Sequence, residues 1–147
     1  MLGFNSVKSA VFVILQFSII ILFFITGKIF PENISLIIIF ISGILLGIYS
    51  IVTMKLNFNI SPDLKPGAGL VIKGPYKFIR HPMYTSIFLV LISLLINEFT
   101  PLRLIFYIVL TVVLILKSDY EENLLKNKFG EYGEYIGRTK KFIPYIF

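Results

Sequence analysis

The chain has 147 residues, no cysteine, one histidine and a net charge of +6, with 56% hydrophobic residues and a mean hydropathy of +0.88. A soluble domain of this length buries only about 70% of its unfolded surface, too little to hide so much apolar area, so the composition asks for lipid as solvent. Thiolate and disulfide chemistry are excluded, a single histidine among scattered acids predicts no metal site, and no nucleic-acid motif accompanies the basic residues.

The expected fold is an all-α integral membrane protein, one membrane domain over 1–147. The first apolar segment covers 9–27 and the second 34–53, each close to the roughly 20 residues that a span needs. The first is too long for a cleaved signal peptide, and no small-residue cleavage pattern follows it. Pro31 and Asn33 part the two, with Asn33 or Ser35 as a cap. Gly43 and Gly47 form a Gly-x-x-x-Gly pair, which favours close packing inside the bundle over a dimer seam; the expected state is a monomer or weak homodimer. Two shorter blocks, 84–97 and 102–116, are broken by Glu98-Phe99-Thr100-Pro101. At roughly 1.5 Å per residue each covers about 22 Å, as one kinked span or as a short helical hairpin.

Charge placement chooses the hairpin. Four crossings put 12 of the 14 Lys and Arg on one side and leave Lys28 and Arg103 on the other; three crossings would split the two basic clusters. The positive-inside rule therefore predicts four spans with both termini cytoplasmic. Anionic lipid headgroups reinforce this by about 1 kcal/mol per basic residue.

Between the second and third blocks, Pro62, Pro66, Gly67, Gly69, Gly74 and Pro75 forbid a long helix and favour fixed turns. Leu70-Val71-Ile72 reads as a short extended apolar piece. Then comes Gly74-Pro75-Tyr76-Lys77-Phe78-Ile79-Arg80-His81-Pro82-Met83-Tyr84, directly before an apolar block. An Arg-His-Pro turn fixed between two tyrosines is no generic helix flank; it reads as a site, within a loop and motif over 61–84.

The tail, 117–147, reads as an amphipathic helix. Glu122 precedes Lys126 by four residues, the favourable order for a solvated ion pair. Glu121 shares a helical stripe with Leu114, Leu125 and Phe129 and should face inward, which costs several kcal/mol unless a cation meets it. Tyr76, Arg80, His81, Tyr84 and Glu121 flank one helical hairpin at the same membrane face. Together they suit a small zwitterion with a delocalised cation: a carboxylate for Arg80 or His81, an amine for Glu121, a positive centre for a tyrosine face.

These residues resemble the isoprenylcysteine carboxyl methyltransferases and the related membrane phospholipid methyltransferases. The resemblance rests on Gly74-Pro75-Tyr76-x-x-x-Arg80-His81-Pro82-x-Tyr84 and on Glu121-Glu122-x-x-Leu125-x-x-x-Phe129-Gly130. It extends to Tyr132-x-x-Tyr135-x-x-Arg138 and to Thr139-Lys140-Lys141-Phe142-Ile143-Pro144; the first two spans match only in being apolar. It implies S-adenosylmethionine as methyl donor, bound at the cytoplasmic face without a soluble Rossmann domain. The cofactor positions it implies are Ala68, Gly69, Leu70, Val71, Tyr76, His81, Pro82, Met83, Tyr84 and Glu121. Catalytic roles fall to Arg80, Glu131 and Arg138, and substrate binding to Lys117, Glu122 and Arg138. Lys117 stands where relatives often carry Arg, and it lacks the bidentate fork. The tail after Phe129-Gly130 is one residue shorter than the family pattern.

The implied reaction is methyl transfer to a membrane-embedded acceptor, in the first place the carboxylate of a prenylcysteine-like or other isoprenoid lipid. Alignment supplies most of the rate of such an in-line displacement, and a carboxylate nucleophile needs no general base. An amine acceptor, as in phospholipid N-methylation, would need one, for which Glu131 and Glu122 are the candidates. The acceptor is expected to enter sideways from the bilayer, through a gap left by Gly43, Gly47 and the short third and fourth helices. Two further readings stand beside this one. A sterol-reductase-like protein using NADPH shares an Arg-His-Pro-x-Tyr element, but carries Asn where Met83 stands and has many more spans. A non-catalytic scaffold would not need Arg80, His81, Tyr84 and Glu121 intact.

Overall fold

The computed structural model describes residues 2–54 and 69–146. Ala68 and the prolines at 62 and 66 lie outside the described residues. Five α-helices follow one another among them: α1 (Leu2–Ile25), α2 (Ile34–Met54), α3 (Pro82–Asn97), α4 (Pro101–Lys128) and α5 (Tyr132–Arg138). Of these, α1, α2 and α4 are long and apolar enough to cross a membrane, while α3 is a shorter apolar helix of 16 residues. Their outer faces show Ile14, Ile21, Ile38, Leu45, Ile48, Ile105, Val112 and Leu116 exposed, the pattern of a bundle whose solvent is lipid.

The helix starts are written locally. Pro82 and Pro101 occupy first-turn positions, where a missing N–H costs nothing, and the Thr100 hydroxyl accepts the Arg103 backbone N–H at 3.2 Å. The fourth helix departs from expectation. Apolarity ends at Leu116, but α4 runs on to Lys128, 28 residues or about 42 Å. Propagation depends on helix formers rather than on polarity, and no breaker intervenes before Gly130. The last two helices are therefore an unequal hairpin, and the first turns of the presumed tail belong to α4.

Helix α2 packs on α3, and α1 packs on α4. The α2–α3 seam is built on the glycine pair. A Cβ added at Gly43 would meet Val90 Cγ2 at 2.9 Å and the Ser86 carbonyl at 3.1 Å, and one at Gly47 would meet Ser86 Oγ at 2.9 Å. The pair thus packs within the bundle, and α3 fills the gap expected there for an acceptor. Gly43→Val is expected to lower the thermal midpoint in detergent by the equivalent of about 1–3 kcal/mol of overpacking. Gly133→Ala, where an added Cβ meets nothing within 4 Å, is the control that should leave it unchanged.

The pole with the 27–33 and 98–100 connections is tied by Arg103. Fully buried, it donates to the carbonyls of Lys28 at 2.9 Å and Leu94 at 3.2 Å and lies 4.6 Å from the Phe23 ring centre. At the opposite pole, the chain from Leu70 enters a 3-10 turn at Gly74–Lys77 through Lys73, whose backbone is extended. Gly74 has φ of +56°, and a Cβ there would come within 2.8 Å of Thr53 Oγ1. Only glycine lets this turn lie against the end of α2. The chain after α5 then returns beside the turn: Ile79 and Lys140 form a parallel bridge, with Arg80 N–H donating to Lys140 O at 2.8 Å and His81 N–H to Lys141 O at 3.1 Å. These bonds fix the backbone of Arg80 and His81 against the returning tail.

Candidate active site

His81 is the N-cap of α3, and it makes no side-chain cap bond there. Its ring is instead aimed at α4. Nδ1 lies 3.4 Å from Glu121 Oε2, and Nε2 lies 3.1 Å from Glu122 Oε1. One turn along α3, the Tyr84 hydroxyl donates to Glu121 Oε1 at 2.5 Å, and its ring stacks on His81 with centroids 5.4 Å apart. Arg80 Nε donates to Glu122 Oε1 at 2.8 Å, and its Nη1 donates to the carbonyl of Thr139 at 2.7 Å. Phe142 closes the cluster against His81 and Tyr84, and its carbonyl accepts the Thr85 hydroxyl at 2.7 Å.

Two adjacent carboxylates thus face an Arg-His pair, with different degrees of access. Glu122 is 9% exposed at its side chain and engaged by both Arg80 and His81. Glu121 keeps 18% of its side chain exposed. The solvated pairing expected for Glu122 with Lys126 is overturned: the 74–81 turn and the tail cover the side of α4 next to the Glu121 stripe, so the buried arc is wider than one stripe. Glu121 faces inward, as its register with the fully buried Leu114 predicts.

Burial by itself would lower the His81 pKa, but hydrogen bonds and charge from Glu121 and Glu122 outweigh it and hold the imidazole above its ordinary value. With a carboxylate at each nitrogen, the protonated ring donates twice. A raised folded-state pKa contributes stability that is complete below the unfolded value, about 6.5, and is lost as pH rises through the folded one. The thermal midpoint in detergent is therefore expected to fall as pH is raised above about 6.5, and His81→Gln should flatten that slope; an unchanged slope in the variant would place the titration elsewhere.

The other expected residues divide. Tyr76 is buried in the 3-10 turn, its carbonyl accepting the Tyr135 hydroxyl at 2.6 Å and its own hydroxyl directed at Met54 Sδ at 3.6 Å; burial pushes its pKa up. Pro82 is buried, Met83, Leu70 and Val71 are half-buried, and Gly69 is exposed. Lys117 is buried under the cluster, its Nζ 5.3 Å from the Tyr84 ring centre. Glu131 and Arg138 are not brought to it: both are exposed, and Arg138 pairs with Glu134 at 3.1 Å on the surface of α5. That helix turns Tyr132 and Tyr135 inward instead. Gln16 of α1 escapes a reading of the sequence by motif; it is buried, and its Oε1 accepts Lys117 Nζ at 2.8 Å. The signal available was an amide, the only glutamine of the chain, inside an apolar span.

Residues 34–127, well over half of the chain, match the model of the isoprenylcysteine carboxyl methyltransferase (ICMT) family. The chain belongs to that family. The matched stretch takes in α2, the 3-10 turn, α3 and α4 up to one residue short of its end, and hence Arg80, His81, Tyr84, Glu121 and Glu122. Helix α1, α5 and the returning tail lie outside it. A comparison with curated proteins gives no match. Membership in the ICMT family, together with three helices able to cross a membrane, makes this a membrane protein of methyltransferase type.

Proposed function

We propose that this ICMT-family protein transfers a methyl group from S-adenosylmethionine to a membrane-embedded acceptor, in the first place the carboxylate of a prenylcysteine-like or other isoprenoid lipid. The observation that carries this reading is the inequality of the two glutamates: Glu122 takes both Arg80 and His81 and is 9% exposed, while Glu121, held by the Tyr84 hydroxyl and His81 Nδ1, has no guanidinium on it among the described residues and keeps 18% of its side chain exposed. An oriented carboxylate of that kind suits the donor's ammonium, and in this reading the Leu70–Val71 stretch before the 3-10 turn meets its flat remainder. When bound, the donor supplies an electrophilic methyl on a sulfonium. The protein's part is to orient it through Glu121 and the Tyr84 and Tyr76 rings and to keep water away, with Phe142 capping the cluster. A carboxylate acceptor requires no base. Lys117 lies beneath the site for its charge, whereas Arg138 would have to leave its surface pair with Glu134 to reach it.

In this reading the apolar tail of the acceptor enters between α1 and α4 rather than beside Gly43 and Gly47. A groove of about 340 Å³ between α1 and α4, lined by Val7, Val11, Phe12, Tyr120 and Lys8, opens one helical turn from Lys117. In this reading α3 completes a four-span bundle with both termini and the Glu121 cluster cytoplasmic, for 12 of 14 basic residues then share one side. Reporter fusions at the N-terminus, in the 27–33 loop, in the 98–100 loop and at the C-terminus are expected to read in, out, out, in. A C-terminus on the outer side would end the four-span reading.

The deciding experiment is calorimetric titration of S-adenosylhomocysteine into the folded protein in detergent. Micromolar binding is expected. A folded protein that binds none would turn the reading to a scaffold.

A further inference from the structure

We propose that Gln16 is a positioning residue of the donor site: it holds the Lys117 ammonium toward α1 and so keeps Glu121 available to the donor's amine. The inference rests on the reading of Glu121 just given and extends it to a helix outside the family-matched residues 34–127. Lys117 and Glu121 are four residues apart on α4, so their side chains are neighbours on one face of the helix. Lys117 is buried and Glu121 is largely so, and there opposite charges attract more strongly than in water. Left to local rules, the ammonium would turn to the carboxylate one turn away and occupy the place the donor needs. Instead its Nζ bonds Gln16 Oε1 at 2.8 Å and lies over the Tyr84 ring, while Glu121 takes the Tyr84 hydroxyl and faces His81.

Gln16 suits this work. It is 6% exposed in the middle of a span whose neighbours are Leu15 and Phe17, and an amide there is costly unless bonded. A neutral acceptor directs the ammonium without adding a second buried charge. The bland alternative is that the bond merely glues α1 to α4. Glue predicts lost stability. Positioning predicts lost donor affinity that depends on Lys117.

The test is the affinity of S-adenosylhomocysteine, by calorimetry on the full chain in detergent, for wild type, Gln16→Leu, Gln16→Glu, Lys117→Met and the Gln16→Leu/Lys117→Met double variant. Leucine is at home in a span, and melting curves verify that each variant is folded. Gln16→Leu is expected to weaken binding at least fivefold, Gln16→Glu to keep it within twofold by holding the same ammonium, and Gln16→Leu to change it less than twofold once Lys117 is Met. Unchanged affinity in Gln16→Leu, or a loss that persists in the Met background, overturns the inference while leaving the donor reading intact. If wild type itself binds none, reading and inference fall together.

Discussion

Glu121→Gln weakens S-adenosylhomocysteine binding by more than tenfold in the folded protein. The replacement is nearly isosteric, so the Tyr84 hydroxyl can still donate to the side-chain oxygen it now meets at 2.5 Å. What disappears is the negative charge opposite the ligand's ammonium, and an amide N–H placed toward a second donor repels it. A hydrogen bond to a charged group contributes about 1.5–3 kcal/mol, and each 1.4 kcal/mol is about a factor of ten in affinity. Glu122→Gln is the informative partner. Its carboxylate is engaged by Arg80 and His81 inside the protein, so this change should lower the melting temperature and leave ligand affinity within a few-fold. If the two variants behaved alike, the assignment of one glutamate to the ligand and the other to the scaffold would be lost. An unchanged affinity in Glu121→Gln would remove Glu121 from the donor site.

Much of this arrangement was legible in the residues, for identifiable reasons. Long apolar runs announce spans wherever lipid replaces water, and α1 and α2 follow theirs to within a few residues at the loop between them. The inward turn of Glu121 followed from its register with Leu114, because helical period is a property of the backbone and needs no tertiary knowledge. The burial of Glu122 did not follow. It depends on where the 74–81 turn and the tail cross α4, and that is set by pairing between Ile79 and Lys140, residues 61 apart in sequence, with no periodic trace. For the same reason the sequence offered Arg80 for a catalytic role and a zwitterion's carboxylate without its internal partners, Glu122 and the Thr139 carbonyl. Gln16 meets Lys117 across 101 residues, and no local rule joins them.

Arg80→Met is expected to be the most damaging single substitution for stability. It leaves the Glu122 carboxylate, 9% exposed, with His81 as its one remaining cationic neighbour among the contacts described, and it also strips the Thr139 carbonyl of its donor. Removing one partner of a buried ion pair costs about 3–5 kcal/mol, since the other charge stays buried without compensation. The thermal midpoint in detergent should fall accordingly, and the tail should become more protease-sensitive, because Arg80 is one of the groups that hold residues 139–142 against the turn. The Arg80→Met/Glu122→Leu double variant separates charge burial from the rest. It still lacks the Thr139 bond but carries no orphaned carboxylate, so it should regain a large part of the lost midpoint. A double variant no more stable than Arg80→Met would mean that the backbone bonds to the tail, rather than the ion pair with Glu122, are what Arg80 provides.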